Sequence, residues 1–190
     1  FCIGDVSGHG IPAAMFMARV VSLMRLAAFG AESPGALLTV INNQLCAGNH
    51  ANMFVTVFCG FLDVATGHVA YSNGGHLAPL VRVRDRLDFL ALPRGPALGV
   101  LSGFAYGEGQ CRLGADDFLF CFTDGVTEAQ SAAGEDYSEQ RLHRRVEARA
   151  AVPLDALIAD IRDEIRVYTG AGQLADDLTL LALRRKAGRD

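Results

Sequence analysis

The sequence predicts an α+β fold, with antiparallel strands packed into sheets and helices outside them. Three observations carry this expectation. Helical patterns gather near the two ends of the 190-residue chain, whereas strand patterns fill its middle. The central strand-like runs follow one another through short turns, without the helices that parallel crossovers require. Hydrophobic residues make up 51% of the chain, enough for a substantial core and against disorder, which needs low hydrophobicity and high net charge.

Each element has its own signal. The opening apolar run, FCIGD, reads as a strand ending on Asp5. Residues 12–28 read as a helix: Pro12 suits the first turn, where its missing N–H costs nothing, and Gly30 suits the stop. So few polar residues occur in this stretch that a helix buried on most sides is expected. Ser33-Pro34 is the N-cap and first position of a second helix, which ends near Gly48. The period then changes. Residues 53–64 are rich in β-branched and aromatic side chains, and 68–73 alternate like a partner strand beyond a Thr66-Gly67 turn. PLVRVRD and RLDFLAL flank a tight turn near Asp85-Arg86, and residues 110–125 give two short strands around Gly114. Helices are expected over 138–149 and 154–168; in the latter Leu154, Leu157, Ile158, Ile161, Ile165 and Tyr168 recur at helical spacing. The run LTLLALR, 178–184, is a last strand.

Composition excludes several classes. The formal net charge is −4, Lys186 is the only lysine, and no basic patch marks a nucleic-acid footprint. Five cysteines lie far apart with no C-x-x-C pair, and three sit in apolar runs; buried reduced thiols and a cytoplasmic location are expected. No stretch reaches the ~18 uninterrupted apolar residues of a membrane span. Residues 11–29 come closest, and Arg19 and Arg25 interrupt them. There is no signal-peptide pattern. The chain starts at Phe1 inside a strand-like run, as a piece of a longer protein would, and reads as one unit over 1–186 with a polar tail at 187–190.

The stretch GDVSGHGIPAA raises the functional question, because an apolar strand delivers Asp5 into Ser7-Gly8-His9-Gly10. A plain turn, a nucleotide-phosphate loop and a corner of a metal site all fit. Gly8-His9-Gly10-Ile11-Pro12-Ala13 formally matches G-x-G-x-x-A, but Glu32, at about the required offset, lies between two helices, and no βαβ unit follows. The metal reading requires more carboxylates at strand ends. Asp124 ends FLFCFTDG, and Asp176 and Asp177 open the last strand in LADDLTLLAL. Singly, each also reads as turn chemistry or solvated capping. Hard divalent cations take such oxygen donors, Mn2+ and Mg2+ beside several waters.

In order along the chain, GDVSGHGIPAAMFMA, FVTVFCGFLDVATGHVAYSNGGHLAPLV, GPALGV, LFCFTDGVTEAQ and ADDLTLLAL resemble the SpoIIE/RsbU-type serine phosphatases, the bacterial branch of the metal-dependent PP2C family. The resemblance runs from residue 1 to about 185. It implies a PP2C-like β-sandwich of two antiparallel sheets flanked by helices, with a two-metal Mn2+ or Mg2+ centre. Asp5 would bridge both metals, the Val6 carbonyl would bind one, and Asp124 and Asp176 would complete the carboxylates. By loose analogy His9 would protonate the leaving serine oxygen; a loop histidine fixed by hydrogen bonds is the competing reading. Asn73-Gly74-Gly75-His76 reads as a strand-end turn, with His76 facing the site as the alternative. Asp177 would orient its loop or bind metal through water, and Asp116-Asp117 reads as a solvated turn. The resemblance also implies a further metal-binding aspartate on a strand before the DVSGHG motif, ahead of the point where this sequence starts.

The implied substrate is phosphoserine on a small STAS-type anti-anti-sigma protein in a partner-switching circuit. An upstream sensor or receiver domain is expected, with activity set by a homodimer contact or a switch-helix contact and control through the helices of residues 12–47. The competing reading from another class is a catalytically silent adaptor of the same fold.

Overall fold

The computed structural model describes residues 1–170 and 177–186. The chain divides into two compact units, one formed by residues 1–76 and 91–112, the other by 77–90 and 113–190.

In the first unit, β1 (Cys2–Val6), β2 (Val55–Leu62), β3 (His68–Gly74) and a strand Gly109–Arg112 form an antiparallel sheet in that order. Two helices serve it, α1 (Gly10–Ala28) and α2 (Pro34–Cys46). The period-2 geometry of β2 sorts its side chains. Val55, Val57 and Cys59 join Leu37, Leu38, Ile41 and Leu45 of α2 and Phe16, Val20 and Met24 of α1 in one core cluster. Thr56 and Phe58 alternate with them and therefore lie on the other face. Ser33 caps α2 as its sequence predicts, its hydroxyl accepting the Ala36 amide at 3.2 Å.

The structure corrects the expectation for α1. It begins at Gly10 rather than Pro12, and it is not buried on most sides: only Phe16, Val20 and Met24 are buried. Ile11, Met15, Leu26 and Phe29 stand in the open, Phe29 at 96% exposure. By length and composition α1 would also suit a membrane span. Here its buried side chains join the core cluster, and the Arg19 guanidinium donates to the carbonyls of Gln44 and Ala47 at the end of α2.

In the second unit, β4 (Leu80–Val83) and β5 (Arg86–Phe89) make a hairpin. With the strand Gly109–Arg112 of the first unit counted as β6, β7 (Phe118–Phe122) and β8 (Leu180–Arg184) complete a second antiparallel sheet, ordered β5-β4-β7-β8. The helices are the short α3 (Asp124–Thr127), α4 (Glu139–Ala148) and α5 (Leu154–Tyr168). Phe118, Phe120 and Phe122 pack with Leu142 and Val146 of α4 and Leu157, Ile161 and Ile165 of α5. Arg184 ties β8 to the α4–α5 connection, donating to the carbonyls of Ala150 and Val152 at 2.8 Å each.

A second correction concerns Asp117, which is buried rather than part of a solvated turn. Its two oxygens accept the backbone amides of Arg84 (2.6 Å) and Gly114 (2.7 Å), so one carboxylate holds the β4–β5 turn against the loop before β7.

Candidate functional site

Asp5 is near the end of β1, directly opposite Thr56 of β2, with Val6 opposite Val55. The chain beyond is held by Ser7, whose amide donates to the Phe54 carbonyl at 2.9 Å and whose hydroxyl accepts the Phe54 amide at 3.0 Å. It then turns through Gly8 and Gly10, both in the left-handed region at φ +81° and +78°, where a side chain would be strained. His9 is the exposed N-cap position of α1, and its side chain makes no capping bond.

Residues directly opposite in an antiparallel pair project from the same face. Asp5 and Thr56 therefore share a face, and the Thr56 hydroxyl lies 2.9 Å from Nδ1 of His76. His76 is buried. The turn that presents it is closed by Asn73, whose Oδ1 accepts the His76 amide and whose Nδ2 donates to the His76 carbonyl, both at 3.2 Å. The strand-end turn is thus present, and the same turn brings His76 to the neighbour of Asp5. Thr56 had no place in the sequence reading. The signal was there: in FVTVFCG the one hydroxyl interrupts an apolar run at a position that a two-residue period places away from Val55 and Val57.

In the second unit, Thr123 follows β7 and is buried as the N-cap position of α3. Its hydroxyl accepts the Thr179 amide and donates to the Asp177 carbonyl, both at 3.1 Å, while its amide donates to the Thr179 carbonyl at 3.2 Å. The end of β7 and the approach to β8 are thereby joined, and Asp124 is the residue that follows. The Asp124 carboxylate is half-buried and accepts the Gly125 amide at 3.0 Å. Asp177 is exposed. Asp176, the remaining predicted carboxylate, lies outside the described residues. Among the described residues, no group of three or more His, Cys, Asp or Glu side chains comes together as a cation site.

The donor chemistry nevertheless suits a hard divalent cation. Asp5 and Asp124 both stand where a strand gives way to a loop or short helix, and both are only partly covered. An ionised carboxylate offers about four lone-pair sites, so the single Gly125 amide leaves Asp124 with acceptor capacity to spare.

The family model of Stage II sporulation protein E (SpoIIE) matches residues 1–186, and the chain belongs to that family. It is 28% identical to the phosphoserine phosphatase RsbU of Bacillus subtilis over 97% of this chain and 55% of that protein. It is 26% identical to protein IcfG of Synechocystis over 96% of this chain and 33% of that one. The chain thus spans between a third and about half of the length of these relatives. Among solved structures, the RsbU and RsbW domains of Rv1364c from Mycobacterium tuberculosis match all of this chain and 52% of theirs, with TM-score 0.85 and 25% identity. The fold is that of PP2C-like domains of the SpoIIE and RsbU kind, two antiparallel sheets with helices.

Proposed function

We propose that this chain is a metal-dependent protein-serine phosphatase domain that hydrolyses phosphoserine on a small STAS-domain anti-anti-sigma protein. It would act in a partner-switching pathway in the cytoplasm. The observation that carries the reading is the match to the SpoIIE family over residues 1–186, with Asp5 and Asp124 standing at strand ends. The similarity to a phosphoserine phosphatase over nearly the whole chain supports it.

On this reading Asp5, the Val6 carbonyl, Asp124 and Asp176 hold Mn2+ or Mg2+. When bound, a pair of such ions supplies hydroxide at neutral pH and charge compensation for the phosphoryl oxygens. The protein's own part is to present hard oxygen donors on rigid supports. β1 holds Asp5 through its ladder to β2, and the Thr123 hydroxyl fixes the chain on which Asp124 stands. His9, exposed at the start of α1, delivers a proton to the leaving serine oxygen. No residue is required as a covalent nucleophile. Control by an upstream sensor or receiver domain, or by a second copy, would act through α1, where Ile11, Met15, Leu26 and Phe29 offer an exposed apolar stripe.

The test is phosphate release from a phosphoserine-bearing STAS-domain protein in Mn2+, with the same protein phosphorylated on threonine as comparison. Release from phosphoserine that chelation abolishes is expected. No release from either, with the protein folded and Mn2+ present, would overturn the reading.

A further inference from the structure

Cys2 of β1 and Cys59 of β2 are directly opposite each other in the antiparallel ladder. The hydrogen bonds at both ends of that ladder fix the kind of pair they form. Phe1 and Gly60 exchange both bonds, at 3.0 and 2.9 Å, and six residues on Ser7 donates to Phe54 at 2.9 Å. Hydrogen-bonded pairs alternate with non-hydrogen-bonded ones, so Cys2 and Cys59 occupy a non-hydrogen-bonded position. There the Cα atoms approach to about 4.5 Å with both side chains on one face, at the short end of the range that a disulfide spans. Of the described cysteines no other has a cysteine opposite: Cys111 faces Val69, Cys121 faces Leu181, and Cys46 donates to Asn42 within α2.

We propose that Cys2 and Cys59 form a reversible cross-strand disulfide, an oxidation site in the strand pair that carries Asp5. The two thiols differ in a way that orders the chemistry. Cys2 is exposed and reachable. Cys59 is buried, and its thiol is pushed up to about 12, first by that burial and then by the proximity of Cys2. A low-molecular-weight disulfide such as oxidised glutathione is therefore attacked by the Cys2 thiolate, which forms a mixed disulfide and expels one glutathione thiolate. Cys59 then gives up its proton and attacks the Cys2 sulfur, expelling the second. Two cysteine thiols lose two electrons, the glutathione disulfide gains them, and the two thiol protons finish on two glutathione molecules.

The experiment equilibrates the protein with oxidised glutathione, alkylates remaining thiols and maps unreduced peptides by mass spectrometry. The expected product is a Cys2–Cys59 cross-linked peptide lighter by two hydrogens, lost on dithiothreitol treatment. In Cys2→Ser, a change at an exposed position, Cys59 is expected to stay an unmodified thiol. Glutathione retained on Cys2 with no link to Cys59 would overturn the proposal. So would pairing spread over Cys46, Cys111 and Cys121 as in the same protein treated in urea. Neither result bears on phosphatase activity, so this proposal stands or falls separately.

Discussion

The hydroxyl of Thr123 donates to the carbonyl of Asp177 at 3.1 Å, and the same oxygen accepts the Thr179 amide at 3.1 Å. One buried side chain thus closes the two segments that carry the second unit's candidate acids. Thr123→Val keeps the shape but removes the hydroxyl bonds to the Asp177 carbonyl and from the Thr179 amide. Losing such a hydrogen bond costs about 0.5–1.5 kcal/mol. Urea denaturation should show that loss, and Thr123→Ser should recover most of it. On the phosphatase reading Thr123→Val also weakens Mn2+ binding, which calorimetry would measure.

The link from Thr56 to His76 predicts a parallel effect in the first unit. Thr56→Val removes the partner of Nδ1 at 2.9 Å and should destabilise the protein by about 1 kcal/mol, read as a shift in the urea midpoint. Thr56→Ser should sit close to the parent.

The two helices of the first unit should respond oppositely to truncation. Leu38 is fully buried in the core cluster, and Leu38→Ala should cost about 2–5 kcal/mol. Leu26 is 78% exposed, and Leu26→Ala should stay within about 0.5 kcal/mol of the parent. If α1 is the control surface, Leu26→Ala and Phe29→Ala change activation without altering Mn2+ affinity; equal losses in both would count against that role.

Much of the architecture was legible in the sequence, because it rests on local signals. Ser33-Pro34 marked the start of α2, the Leu and Ile spacing marked α5, and β-branched runs marked the central strands. The failures share a physical cause, since each depended on what lies across space. Apolar composition showed that α1 could bury a face, but not that only Phe16, Val20 and Met24 would find a cover. Asp116-Asp117 looked like any polar turn, because nothing local reveals that the Arg84 and Gly114 amides converge on Asp117. α3 is four residues long, too short for a period to announce it. The consecutive strands gave no sign that the β4–β5 hairpin leaves the first sheet for the second. For the candidate site, Asp5, Asp124 and Gly8 with Gly10 could be read from strand ends and turn chemistry. Thr56 became visible only with the strand register.

Asp63 gives a pH prediction with a defined sign. Its side-chain oxygen accepts the Ala65 and Thr66 amides at 2.9 and 3.2 Å in the β2–β3 turn. Hydrogen bonds from Thr66 first, and then from Ala65, hold its carboxyl below the ordinary 3.8. The folded form thus favours the ionised acid. Its contribution to stability is complete above the unfolded value and is lost as pH falls through the lower folded one. Asp63→Ala should therefore lower stability at neutral pH and flatten its fall below about pH 4, as followed by urea midpoints across the acid range.

The most direct test of the central claim is p-nitrophenyl phosphate hydrolysis in Mn2+ by the parent protein and Asp124→Asn. The account predicts turnover that needs the metal and that drops in the variant by about 100-fold or more, the scale seen when one preorganised charge-stabilising group is removed. Circular dichroism should show both proteins folded. Equal turnover in the two would contradict the role of Asp124. No turnover in either, on this substrate and on a phosphorylated STAS-domain protein, would make the chain a binding adaptor with a phosphatase fold.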